Sequence, residues 1–314
     1  MTPADSLLAE KALRQRHVTG LVLAVLGAIA FSGKAIIIKL AYRYQVDAVT
    51  LIMYRMLFAL PLFVLMAWWA SRGKPPLTRR DWLGVLGLGF CGYYLSSFLD
   101  FLGLQYVSAG LERLILYLNP MLVVLLGWLL YRRRISRGQT LAMAVSYAGV
   151  VLVFGREVSV QGGQVALGAL LVLGSAITYA VYLSYSGELV KRLGSLRLVG
   201  LATTVACVLC IAQFLVWNPL TAARVDPAVI GLSLLNATLC TVAPVLMVMM
   251  AIERLGAGPA AQAGMVGPMS TIAMGALLLD EPFTVWVAAG TVLVIAGIFG
   301  FSRGTRAKDV PVVN

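Results

Sequence analysis

The sequence predicts an all-α integral membrane protein with ten transmembrane helices, built from two inverted five-helix repeats. Three observations carry that prediction. Hydrophobic residues make up 60% of the chain and the mean hydropathy is +0.90, above the roughly 45–50% apolar share of a soluble domain. Charged residues amount to 12% and collect in short patches between ten apolar runs, most of them near the ~20 residues that a helix needs to cross hydrocarbon. The second half also repeats the first at an offset of 148 residues: Ala109-Gly110 returns as Ala257-Gly258, Pro120-Met121 as Pro268-Met269, and Ala148-Gly149 as Ala296-Gly297. An odd number of crossings reverses the chain, so the second copy of a five-span unit lies upside down, an architecture of secondary transporters.

Residues 1–17 read as a short polar cytoplasmic segment. The first repeat, 18–155, holds apolar runs near 18–40, 48–70, 82–104, 108–130 and 139–155. The second, 165–302, holds runs near 165–186, 197–217, 228–250, 257–279 and 284–301. Between them 156–164 is polar and contains Gly162 and Gly163, which predicts a flexible linker. Residues 303–314 form a basic cytoplasmic tail, and the long first apolar run has no small-residue cleavage site of a signal peptide after it.

The net charge of +12 follows the predicted topology rather than a nucleic-acid footprint. Arg14, Arg16, Arg72, Lys74, Arg79, Arg80, Arg132, Arg133, Arg134, Arg137, Lys191, Arg192, Arg197, Arg254 and Arg303 all fall on one set of alternating segments; the other set has Arg43, Arg156 and Arg224. Short loops retaining Lys and Arg stay cytoplasmic, so both termini are expected inside. Repeat divergence agrees: Arg132-Arg133-Arg134 closes the fourth span, Asp280-Glu281-Pro282 the ninth. Cys91, Cys207, Cys210 and Cys240 all lie within spans, and without a neighbouring His the Cys207/Cys210 pair predicts packing, with no metal site and no cofactor. Trp68, Trp69, Trp82, Trp128 and Trp217 sit at span ends, where interfacial belts form.

Three constellations are candidates for a transport path. Asn119-Pro120 and Gly267-Pro268 interrupt the fourth and ninth spans at equivalent points; each Pro frees a carbonyl one turn back, which lipid does not tolerate unless it lines a cavity or is buried in protein. Lys34, Lys39, Arg55, Asp100, Glu112 and Arg113 are intramembrane charges on the outer half, expected to pair or face water as an outer gate or charge network. Tyr93, Ser97 and Asp100 share one helix face, as do Thr178, Tyr182 and Tyr185. Tyr117, Asn236 and Gln262 add polar groups, and Ser32 comes from the first span. A lining of aromatic faces, hydroxyls and amides suits an amphipathic solute, although each group also suits an interhelical hydrogen bond.

These residues resemble the EamA-type drug/metabolite transporter superfamily. The resemblance rests on Phe31-Ser32-Gly33 and Lys39, Arg55, the two span-breaking prolines, Leu277-Leu278-Leu279-Asp280-Glu281-Pro282, and Gly290 and Gly297 in the last span, and it covers residues 18–302. One departure is Arg133, where relatives often carry Glu. The resemblance implies a transporter of metabolites in the bacterial inner (cytoplasmic) membrane, with bacterial aromatic amino acid exporters of the YddG type as the nearest analogy. Nucleotide sugars and cationic drugs are the alternative cargoes within that superfamily.

An intramembrane enzyme or a receptor is the rival of a different class. His17, the one histidine, flanks the first span, and no phosphate loop, zinc helix or nucleophile elbow occurs. The sequence therefore predicts a secondary transporter, not an enzyme, with a small-molecule substrate, the lipid bilayer as its surroundings and alternating access around a midplane cavity between the repeats. Proton coupling would fall to Glu112 or Asp100. The expected cargo is a small amphipathic metabolite, a neutral or aromatic amino acid.

Overall fold

A computed structural model describes residues 3–132, 135–255, 259–260 and 263–306. Among them no strand occurs, and eight helical stretches are long and apolar enough to cross a membrane. In chain order these are α1 (Pro3–Tyr42, apolar from Gln15), α2 (Ala48–Ser71), α3 (Arg79–Gly103), a stretch split into α4 (Ala109–Leu116) and α5 (Asn119–Tyr131), α6 (Arg137–Gln161), α7 (Gln164–Leu193), α8 (Ser195–Trp217) and α9 (Pro227–Leu255). Two shorter apolar helices follow, α10 (Val266–Leu278) and α11 (Val285–Arg306).

Local chemistry sets the boundaries. Thr78 and Asp81 form a capping box at the start of α3, and Ser136 with Gln139 does so for α6. Asp47 caps α2. Gly162 (φ +85) and Gly194 (φ +84) make the tight turns around α7, a conformation that side chains with a Cβ seldom adopt. The expected flexible linker at 156–164 is mostly absent. α6 continues through Gln161 because Glu157 is buried and binds Ser108, which ties this stretch to the protein; only Gly162 and Gly163 remain as a turn.

Two departures from regular α geometry face each other in sequence. Gly89–Leu95 in α3 and Thr238–Val242 in α9 are π-helical, and they fall at the same 148-residue offset as the sequence repeat. Nothing in the apolar pattern marks them, because a widened helix preserves the hydrophobicity of its residues.

Packing does not follow the two halves of the chain. α2 pairs with α8 and α6 with α11, so each pair joins one helix from each half. One apolar core holds Ile36, Ile52, Met56, Phe63 and Phe101 with Cys207, Cys210 and Val229. A second holds Leu111, Leu114, Met121 and Val153 with Val172, Ala176, Val294 and Ile298. The cavity expected between the repeats thus lies between two bundles of mixed origin. Close helix contact is the physical reason. A Cβ on Gly149 would meet the Gly290 carbonyl at 2.6 Å, and one on Gly297 would meet the Ala142 carbonyl at 2.6 Å. Small residues let these backbones approach, as membrane helices require when no hydrophobic drive separates lipid from protein.

Candidate functional site

A cavity of about 540 Å³ runs between the bundles, a volume in the range of metabolite sites. It reaches Val190 and Ser195 at the α7–α8 turn and Met249 late in α9, at the end of the molecule that carries Lys74, Arg79, Arg80, Lys191 and Arg192. Deeper in, its lining separates into two poles.

The charged pole contains Lys34, Arg55, Asp100 and Arg113. Lys34 Nζ lies 2.5 Å from Asp100 Oδ2 and 3.4 Å from Glu112 Oε1. Glu112 is fully buried behind the lining, 3.9 Å from Arg113 Nε. Arg113 donates from Nε to Thr271 Oγ1 at 3.0 Å and from Nη2 to the Phe31 carbonyl at 2.9 Å. Arg55 donates from Nε to Thr241 Oγ1 at 3.1 Å. Desolvated charges of this kind persist only when paired and hydrogen-bonded.

The aromatic pole is built by Tyr93, Tyr179 and Tyr182. Tyr93 and Tyr182 meet edge to face at 5.1 Å with their hydroxyls 3.1 Å apart, and Tyr179 stacks on Tyr182 at 5.4 Å. A Cβ on Gly92 would collide with the Tyr182 ring, so this glycine lets α7 bring its tyrosine against α3. Ser96 and Ser175, hydroxyl to hydroxyl at 3.0 Å, lie between the poles.

The helix breaks complete the site. The turn at Tyr117 and Leu118 separates α4 from α5, and a turn at Gly264 and Met265 precedes α10. Tyr117 donates its hydroxyl to the Gly264 carbonyl at 2.8 Å, the carbonyl that Pro268 leaves without an i+4 donor. Ser32 donates to the Gly267 carbonyl at 2.8 Å. Each break is thereby held from across the interface.

Of the residues singled out from sequence, Lys34, Arg55, Tyr93, Ser97, Asp100, Arg113, Tyr117, Asn119 and Tyr182 line the cavity. Ser32, Glu112, Asn236 and Pro268 are buried outside that lining, Pro120, expected in the cavity, is exposed and does not line it, and Thr178 turns back to the Ser175 carbonyl. Gln262 lies outside the described residues. Lys39 leaves the expected charge network: it donates to the Val107 carbonyl at 2.7 Å and lies 3.9 Å from Glu281. Sequence reasoning passed over Ser96, Ser175, Tyr179, Ser186 and Thr203, whose ordinary residue types in apolar helices give no signal until the fold aims them inward.

The end opposite the basic cluster is closed by polar contacts. Ala109 donates its backbone N–H to Glu281 Oε1 at 2.9 Å, Ser108 bonds Glu157, and Tyr42 donates to the Phe101 carbonyl at 2.6 Å. Asn218 donates to Asp47 Oδ1 at 3.2 Å. Burial pushes the Asp47 carboxyl up, yet hydrogen bonds from Thr50, Asn218 and the Val49 backbone outweigh it and leave its pKa below the ordinary value.

The profile of the EamA-like transporter family matches residues 18–155 and 166–303. The chain is 32% identical over 280 residues to the uncharacterized transporter YcbK of Bacillus subtilis, covering 83% of this chain and 86% of that one. It is 28% identical to YvbV of the same organism, over 68% and 70% of the two chains, and 23% identical to an uncharacterized transporter of Archaeoglobus fulgidus, over 88% and 95%. A crystal structure of a protein with 15% identity shares the fold, with a TM-score of 0.59 over 94% of this chain and 100% of that one. The chain is a multi-pass membrane protein and belongs to the EamA-like transporter family.

Proposed function

We propose that this protein is a secondary exporter that carries neutral or aromatic amino acids across the cytoplasmic membrane by alternating access. In this reading the chain crosses ten times in two inverted repeats, with both termini cytoplasmic. The basic end faces the cytoplasm, and the cavity is the inward-open half of the cycle. The single observation that carries the cargo assignment is the two-pole cavity, with an aromatic cluster at one pole and ionic groups of both signs at the other. A free amino acid presents the same pairing: an apolar or aromatic side chain next to a carboxylate and an ammonium. A nucleotide sugar needs a cluster of cations for its diphosphate, whereas here Lys34 and Arg113 are engaged by Asp100, Glu112 and Thr271.

Support for the two-fold arrangement comes from reciprocal contacts. Gly149 against Gly290 is matched, one offset along, by Gly297 against Ala142, and the π segments keep the same spacing. The amino acid exporters of the YddG type remain the nearest analogy for the direction of transport. Counterflow in proteoliposomes decides the cargo: labelled tryptophan or phenylalanine should be taken up against unlabelled amino acid. Competition by nucleotide sugars or cationic drugs, and none by amino acids, would sink the assignment.

A further inference from the structure

Arg55 stands apart from the other charges of the cavity. Lys34 and Arg113 are each bonded to partners on other helices, whereas Arg55 has, among the described residues, one side-chain hydrogen bond, from Nε to Thr241. The guanidinium carbon sits 5.3 Å from the Phe101 ring centroid, and the buried Nη1 has no hydrogen-bond partner among the described residues. The residue is 7% exposed and lines the cavity. A buried charged donor is costly to leave unpaired, so this atom calls for an acceptor that arrives from the cavity.

Thr241 lies in the π segment of α9, and its hydroxyl also donates to the Asn236 carbonyl five residues back, at 2.8 Å. The hydroxyl proton is committed to that carbonyl, so a lone pair is left to receive Arg55 Nε. The Thr241 position corresponds, at the 148-residue offset, to Tyr93 in the π segment of α3. One π segment therefore fixes the charged pole and the other supplies a tyrosine of the aromatic pole. Two acceptors near the cavity, Asp100 Oδ1 and Asn119 Oδ1, are also buried without a hydrogen-bond partner among the described residues. With both carboxylates ionised, Lys34, Arg55 and Arg113 outnumber Asp100 and Glu112 by one charge.

We infer that Arg55 is the carboxylate receptor of the cavity and that Thr241 is the residue that positions it. The cargo binds with its carboxylate on the Arg55 guanidinium and its apolar part against Tyr93, Tyr179 and Tyr182. An ammonium, where the cargo has one, falls to Asp100 and Asn119. The assignment rests on the transporter reading above but not on the cargo being an amino acid.

The test uses the full-length protein in detergent, with thermal melting read against acetate, indole-3-propionate, tryptophan, tryptophanamide and tryptamine. Indole-3-propionate and tryptophan should stabilise at concentrations about 10- to 100-fold lower than tryptophanamide, the range expected for one charge-assisted hydrogen bond. Arg55→Lys and Thr241→Val should compress that ratio about tenfold, while Thr241→Ser keeps it; Thr241→Val serves if Arg55→Lys does not fold. If indole-3-propionate binds in this Arg55-dependent way but amino acids show no counterflow, the amino acid reading falls and the receptor stands. Equal binding of carboxylate and amide, a ratio unmoved by Thr241→Val, or no stabilisation by any carboxylate probe would each overturn it.

Discussion

At the scale of residues, the interior depends on a few side chains that each answer a specific backbone or charge demand. Gly267 is one. A Cβ there would overlap the Tyr117 hydroxyl, which is held in place by its bond to the Gly264 carbonyl. Gly267→Ala should therefore destabilise by about 1–3 kcal/mol, and Tyr117→Phe should relieve part of that loss. Chemical or thermal unfolding of the two single variants and the double variant measures the coupling; strict additivity would mean that the contact carries no strain. Lys34 is another, because its ammonium stands between two buried carboxylates. Lys34→Ala should cost about 3–5 kcal/mol, and adding Asp100→Asn should restore much of it. Equal yields of folded Lys34→Ala and wild-type protein would show that water, not Lys34, compensates the acids. The sequence exposed Lys34, Asp100 and Glu112 plainly, since charge in an apolar run is conspicuous. It did not show that Lys39 belongs elsewhere, because its partners Val107 and Glu281 come from segments 68 and 242 positions away that only the fold unites.

At the scale of elements, apolar runs identified nearly every helix, and prolines identified both breaks, because length, hydropathy and a missing N–H are local properties. The π segments and the extra turn of α6 were not legible. A widened register changes only which carbonyl meets which amide, and the end of α6 is held by the long-range bond between Glu157 and Ser108. The contact of α6 with α11 rests on glycines, and it makes a direct prediction. Gly290→Val should push the helices apart by closing the space beside the Gly149 carbonyl, with a loss of at least 1–3 kcal/mol. By contrast, Gly138→Ala, at a site where an added Cβ would meet no atom within 4 Å, should be silent. Comparing their melting temperatures distinguishes packing from a general intolerance of glycine substitution.

At the scale of the whole molecule, the alternation of basic and basic-poor loops predicts an orientation from sequence alone, whereas the exchange of helices between bundles left no sequence signal. Pairing α2 with α8 and α6 with α11 is decided by which glycines and small side chains meet, and these contacts join positions more than a hundred residues apart. Reporter fusions or cysteine labelling should place Lys74 and Gly194 on one side of the membrane and Asn218 and Asp280 on the other; all four on one side would end the inverted arrangement. The closed end gives a second expectation. In a background without native cysteines, Ser97→Cys should react slowly with an impermeant thiol reagent added at the basic-poor face. Glu281→Gln, by weakening its bonds to Ala109 and Lys39, should speed that reaction several-fold. An unchanged rate would assign the barrier to apolar packing instead.

If the protein works by the proposed alternating access, the chemistry of that closed end also bounds how evenly it divides its time between two openings. Its polar contacts are hydrogen bonds and an ion pair made by Tyr42, Lys39 and Glu281, partly exposed side chains for which water can compete, beside buried Leu104, Val107 and Leu111. Such bonds contribute about 0.5–1.5 kcal/mol each when water is the competitor, so three of them favour closure by only about 1.5–4.5 kcal/mol. A difference of that size would leave the opposite opening populated at roughly 0.05–7% without any cargo, and differential binding of one carboxylate would be enough to tip it. A dry apolar plug of the same extent would hold the door far more firmly and would make the turnover of this carrier a matter of forcing it.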